Sequence, residues 1–180
     1  MNPKFKQDLF RYYGEEKEPF LRRLFRAPEL KYIALFRRAE TCRNSVFKAF
    51  LVLLLKRMER KTHIQIPART QIGGGFYIGH TGRVIIHPDA VLGSNVNVAT
   101  GVTVGAEPRG KRKGAPVIGD RVWIGTGAVV VGKVTIGSDV LIAPLSFVNF
   151  DVPDHSLVIG NPARILPKEN ATEGYVHNPI

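Results

Sequence analysis

Ile118-Gly119-Asp120-Arg121-Val122-Trp123-Ile124-Gly125-Thr126-Gly127-Ala128-Val129-Val130 opens a run in which an aliphatic residue returns at every sixth position: Ile118, Ile124, Val130, Ile136, Ile142 and Val148. The same spacing extends upstream through Ile66, Ile72 and Ile78. After a two-residue slip at Arg83 to Ile85 it resumes with Ile86, Leu92, Val98 and Val104. The next residue is small in most units, as in Gly73, Gly93, Ala99, Gly119, Gly125, Gly137 and Ala143. The fifth place is small or β-branched in nearly all, from Thr70 and Ala90 to Val140 and Ser146, with Phe76 and Gly82 as exceptions. A period of six is neither the 3.6 of a helix nor the spacing of hairpins. Each hexad then reads as one short strand and a corner, with its aliphatic residue and its small fifth residue turned inward. Three hexads close a triangular coil of 18 residues, and about four coils fit between Ile66 and Val148. The result is a parallel β-helix, a stack in which each coil buries its neighbour's face.

Working outward, the segment Asp151 to Ile165 is expected to close the open end of the stack, and a polar tail follows. The excursion Ala106 to Pro116, with four bases, one acid, two prolines and two glycines, interrupts the repeat and reads as a functional loop. Residues 1–62 differ in character, with 16 bases and 7 acids, leaving 10 and 8 for the rest of a chain whose net charge is +11. There the bases alternate with apolar residues at Phe20 to Arg26, Ile33 to Arg38 and Phe47 to Arg57, the pattern of amphipathic helices. Pro19 and Pro28 mark expected helix boundaries. Three helices are expected before about residue 60. They form a helical cap with a solvated basic face, or lie on a membrane surface; nucleic-acid binding is disfavoured because no recognised motif accompanies the charge. The division is therefore 1–62 as a basic helical cap region, 63–168 as the β-helix with its loop at 105–117, and 169–180 as a tail. The longest apolar run, Ala49 to Leu55, is far below the ~20 residues of a membrane span, and a single Cys42 forms no internal disulfide; both point to a cytoplasmic protein, with membrane association through the helices left open.

Ile78-Gly79-His80-Thr81-Gly82, the hexads Val98 to Gly105, Val122-Trp123-Ile124-Gly125 and the ending Gly160-Asn161-Pro162-Ala163-Arg164 resemble serine O-acetyltransferase, and more closely the shorter serine-acetyltransferase-like enzymes of surface-polysaccharide gene clusters. The resemblance implies a left-handed β-helix, mainly β with an N-terminal α-helical region. It also implies acetyl transfer from acetyl-CoA to a hydroxyl, without metal, in a homotrimer whose active sites lie between subunits. A hydroxyl needs a base near neutral pKa as it attacks the thioester, and backbone N–H groups must receive the oxyanion. His80 matches the family's catalytic base. The carboxylate paired with that base corresponds to Gln65, which can orient an imidazole but cannot stabilise an imidazolium by charge. The resemblance places Thr126, Pro144, Asn149 and Arg164 along the CoA groove, and charge suggests Lys111, Arg112 and Lys113 for its phosphates. His87, in Ile86-His87-Pro88-Asp89, reads as a corner residue; His63, His155 and His177 receive no role.

Two departures bear on the acceptor. Gln65 replaces the carboxylate, and Lys113-Gly114-Ala115-Pro116 stands where the family carries the arginine and second histidine that recognise serine. A zwitterion needs paired charges, so a sugar hydroxyl of a surface-polysaccharide precursor is the expected acceptor, with L-serine as the alternative. A non-catalytic hexapeptide-repeat scaffold, a three-histidine zinc site of the γ-carbonic-anhydrase type and an antibiotic acetyltransferase are the remaining readings.

Overall fold

The computed structural model describes residues 2–15 and 27–180. Numbering strands along the chain, three faces form a prism. Face A stacks β1 (Ile64–Gln65), β4 (Val84–Ile86), β7 (Thr103–Gly105), β10 (Val129–Val131) and β13 (Phe147–Val148). Face B stacks β2 (Gln71–Ile72), β5 (Val91–Leu92), β8 (Val117–Ile118) and β11 (Thr135–Ile136). Face C stacks β3 (Tyr77–Ile78), β6 (Asn97–Val98), β9 (Val122–Ile124), β12 (Val140–Ile142) and β14 (Ser156–Gly160), and is finished by the antiparallel β15 (Ala163–Pro167). This is a parallel β-helix of about five turns rather than four, because the coil continues past Val148, with Val152 bridging to Ile136 on face B and β14 stacking on β12.

Face A registers measure each coil. Ile64 pairs with Val84 after 20 residues, Ile85 with Thr103 after 18, Thr103 with Val129 after 26, and Val129 with Phe147 after 18. The two extra residues of the first coil are taken up at the corner after His80, so Val84, not Gly82, fills the fifth place and is fully buried. The eight extra residues of the third coil form the loop, which an antiparallel bridge between Glu107 and Gly114 folds into a short hairpin. The aliphatic and fifth-place residues line the interior, from Ile72, Leu92 and Ile118 to Val96, Ala128 and Val140, all at most 2% exposed. At the corner between faces B and C the repeat demands glycine. A Cβ on Gly73 would lie 2.5 Å from the backbone of Gly93, and one on Gly93 2.7 Å from that of Gly119.

Among the described residues three helices cover the lower end: α1 (Pro3–Tyr13), α2 (Pro28–Thr41) and α3 (Ser45–Thr62). Helix α1 was not among the stretches read as helical, and the expected helix over Phe20 to Arg26 with the boundary at Pro19 lies outside the described residues. Pro28 sits in the first turn of α2, where a missing N–H costs nothing. The lowest coil exposes backbone groups that would ordinarily pair with another strand, and side chains from the helices pair with them. Tyr12 Oη accepts from Ile78 N–H at 3.0 Å and donates to its carbonyl at 2.7 Å; Tyr32 Oη does the same for Ile66 at 3.0 and 3.2 Å. Asp8 accepts from Phe76 N–H at 2.8 Å, and Arg37 donates to the carbonyls of Ile72 and Gly73 at 2.9 and 2.6 Å. Arg37 also grips Asp8 in a two-pronged pair at 2.8 and 3.1 Å, with both side chains fully buried.

At the upper end the Ser156–Pro167 hairpin completes face C. The polar tail does not trail off. Asp139 accepts from Ala171 N–H, Thr172 N–H and Thr172 Oγ1 at 3.1, 3.1 and 2.7 Å, and Tyr175 packs on Trp123 with ring centroids 4.9 Å apart. Lower down, Asn97 donates to the Tyr175 carbonyl, Arg11 to the His177 carbonyl, and Asn95 pairs with the terminal Ile180. The tail therefore straps the outer surface of face C from the upper coil to the helical end.

This strap has a pH window. Burial pushes the Asp139 carboxyl up, but hydrogen bonds from Thr172 and His155 and from the N–H groups of Thr172 and Ala171 outweigh it and hold it below its ordinary 3.8. The hydrogen bond to Asp139 raises His155 above its ordinary 6.5 against some desolvation, with Glu169 and Asp154 adding to the rise. The Asp139 contribution is present above its unfolded value and lost as pH falls through the depressed one. The His155 contribution is complete below its unfolded value and lost as pH rises through the raised one. Emission of Trp123, the single tryptophan, should stay constant between about pH 4 and 6.5 and change on both sides as Tyr175 departs. Flat emission across both limbs would show that these groups do not hold the tail.

Candidate active site

The corners between faces C and A stack into one ridge. Gly127 N–H bonds to the Thr100 carbonyl at 3.0 Å and Leu145 N–H to the Thr126 carbonyl at 2.9 Å, while Gly160 N–H reaches Ser146 Oγ at 3.1 Å. His80, Thr126 and Pro144 are exposed on successive parts of this ridge, and the hairpin bearing exposed Arg164 opposite Ile159 ends it. His80 stands at the lowest corner, just above the helices: Gly82 N–H bonds to the Thr62 carbonyl at 3.0 Å. The widened corner turns the imidazole out of the coil. Among the described residues it has no hydrogen-bond partner, which leaves both ring nitrogens available to a substrate.

Gln65 lies on β1 beside Ile85, exposed on face A. No hydrogen bond joins it to His80. Its side chain borders two clefts between α3 and face A. One, of about 350 Å³, is mostly apolar and includes Leu55, Pro67 and Ile85; the other, of about 600 Å³, includes Glu59, Arg60 and Arg83.

The opposite edge of face A carries the loop. Here Lys111 and Arg112 share a cleft of about 260 Å³ with Asn149, Arg109 and Phe147. Lys113 is exposed on the same hairpin, which Lys133 N–H ties down through the Arg112 carbonyl at 2.8 Å. The loop bases and Asn149 are thus assembled in one place, whereas Thr126, Pro144 and Arg164 follow the ridge across the face. Arg109 and the apolar floor of Phe147 and Val131 were not among the sequence candidates. Arg109 was visible as a loop base, but only the hairpin geometry turns it toward Asn149.

Three of the other four histidines have structural partners or places. His87 Nδ1 accepts from Asp89 N–H at 3.2 Å within its corner, His63 caps α3 in a left-handed conformation, and His155 binds Asp139. Among the described residues no three His, Cys, Asp or Glu side chains converge as metal ligands.

A ridge with an outward histidine, facing a basic cleft across a β-helix face, can hold a phosphorylated donor and deprotonate a hydroxyl. Residues 115–149 match the sequence model described as bacterial transferase hexapeptide (six repeats). Over about two thirds of its length the chain is similar in sequence to serine acetyltransferases. It is 39% identical over 118 residues to the serine acetyltransferase of Bacillus pumilus (strain SAFR-032), covering 65% of this chain and 54% of that one. The chain therefore spans about half the length of the curated relatives it matches. Among solved structures, the Brucella abortus serine acetyltransferase in complex with coenzyme A superposes with a TM-score of 0.76 at 25% identity, over 92% of this chain and 66% of that one. The Neisseria gonorrhoeae serine acetyltransferase in complex with serine gives 0.74 at 28% identity, over 91% and 67%. These relatives share the left-handed β-helix with N-terminal helices. None of them carries the surface-polysaccharide association expected from the sequence.

Proposed function

We propose that the protein is an acetyl-CoA-dependent O-acetyltransferase. The single observation that carries this is His80, exposed and unpartnered on the ridge of a coenzyme-sized face whose far edge gathers Arg109, Lys111, Arg112 and Asn149. The basic cleft suits the phosphates of CoA, and Thr126 and Pro144 border the path of the pantetheine arm. The His80 imidazole takes the proton of the acceptor hydroxyl as its oxygen attacks the thioester carbon. Backbone N–H groups of the glycine-rich corners receive the oxyanion. Collapse of the intermediate breaks the carbon–sulfur bond, and the imidazolium returns the proton to the departing thiolate. No acyl-enzyme is needed, and Cys42 stays outside the repeat.

L-serine is the acceptor the relatives favour. A second reading, a neutral sugar hydroxyl, is favoured by one feature: Gln65 is uncharged, and in Lys113-Gly114-Ala115-Pro116 Ala115 packs against the core, so Lys113 is the only charge available there. A homotrimer with sites between neighbouring subunits, acting in the cytoplasm, completes the proposal and rests on the sequence resemblance. Thiol release from acetyl-CoA should appear with L-serine in a panel that also holds nucleotide-sugars and oligosaccharides. Turnover with sugars alone would replace the acceptor, and failure of acetyl-CoA to bind would overturn the enzyme reading.

A further inference from the structure

Helix α3 has a face that no described residue covers. Val46, Phe47, Phe50 and Leu53 are 80%, 54%, 51% and 64% exposed, while Leu51, Leu55 and Thr62 on the opposite side are buried toward α2 and β1. At about 100° per residue the four exposed side chains share a stripe about 120° wide. Phe47 and Phe50 stack on it with centroids 6.2 Å apart. Along the same stripe the next turns carry exposed Arg57, Arg60 and Lys61. The helix's one acid, Glu59, projects to the other side and lines the clefts beside Gln65.

An apolar patch of this kind needs an occupant, and its charge selects one. A second copy of this chain, with its own net charge of +11, brings like charges toward the three bases. An anionic bilayer satisfies both parts of the stripe: the aromatic and aliphatic side chains reach the acyl boundary and the bases meet lipid phosphates. No described helix is long and apolar enough to cross a membrane, so α3 would lie in the plane of the interface. We propose that α3 is a docking helix for an anionic membrane surface. The Thr62 carbonyl at its basic end holds the Gly82 corner, so docking brings the His80 edge close to the headgroups. The proposal is independent of the identity of the acceptor.

Flotation of the full chain with vesicles tests it, using pure phosphatidylcholine and phosphatidylcholine with about 30% phosphatidylglycerol. The protein should partition onto the anionic vesicles alone and leave them as salt rises from about 0.1 to about 0.5 M. F50S/L53S and R57Q/R60Q/K61Q should each lower the partition coefficient about 100-fold, the second also removing the salt dependence. Their thermal midpoints should match the parent's, since every changed side chain is exposed. Absence of partition, equal partition onto neutral vesicles, or undiminished partition by both variants overturns the proposal. So does a lipid-free sedimentation mass that drops in F50S/L53S, which would make the stripe an interface between copies.

Discussion

Arg37→Met is expected to lower the unfolding free energy by about 3–5 kcal/mol, read as a shift in the urea midpoint, because it strands the buried Asp8 carboxylate. An isolated buried ion pair can often be exchanged for two apolar residues at little cost. This pair differs because each member has a second task. Arg37 satisfies the carbonyls of Ile72 and Gly73, and Asp8 satisfies the N–H of Phe76, all on the open edge of the lowest coil. The double variant Asp8→Leu with Arg37→Met should therefore remain destabilised, by about 1–3 kcal/mol for each backbone group left without a partner. Recovery of parental stability in the double variant would show that the pair merely neutralises itself and that the edge needs no side-chain partners.

The interior of the β-helix was legible residue by residue, because a six-residue period repeats one local geometry and each position meets the same neighbour a coil above. Gly73 and Gly93 show how strict that is: the requirement for glycine comes from stacked backbone, and the sequence repeats it at Gly119 and Gly137. The two-residue slip was legible as an interruption around His80 to Arg83, but which residue takes the interior place after it was not, since Val84 and Gly82 are both small enough for that position. Helix α1 carries end signals in the sequence. Asn2 caps it by accepting from Phe5 N–H, Pro3 stands in its first turn, and Gly14 ends it with φ +70°. Its pairing of Asp8 with Arg37 lies 29 residues away in sequence and has no local signature. The tail shows the same limit. Its polar composition resembles that of a loose end, yet Thr172 and Tyr175 find partners on coils far earlier in the chain.

The candidate site divides along the same line. Thr126 and Pro144, placed by the resemblance, share a ridge with His80 because a corner between the same two faces recurs once in every coil, whatever the slip and the loop add between them. The cleft that joins Lys111 and Arg112 to Asn149 arises from an eight-residue excess that folds on itself, and no periodicity describes it. Gln65 was matched to the family's carboxylate by its distance of fifteen residues from His80, a distance that spans the two corners between its strand and the ridge. In the free protein it borders the α3 clefts instead of meeting the imidazole.

His80→Ala should lower kcat by about 10²- to 10⁴-fold, the range for losing a positioned general base. The donor contacts proposed for the loop cleft and the ridge are untouched, so the KM for acetyl-CoA should stay within about twofold, the split expected when an interaction belongs to the transition state. Stability should not change, because the imidazole is exposed and makes no hydrogen bond among the described residues. The pairing matters for interpretation: a variant that lost activity together with thermal stability would assign His80 to the corner's architecture, and one that kept full turnover would move the base elsewhere. Gln65→Ala belongs in the same experiment as a positioning test. If the Gln65 amide orients His80 once substrate closes the site, kcat falls while the pH midpoint of kcat/KM stays in place, since an uncharged amide supplies no field to shift the imidazole. If instead kcat is unchanged, the general base works without the partner that the family's carboxylate would provide, and the ridge alone sets the direction of the imidazole.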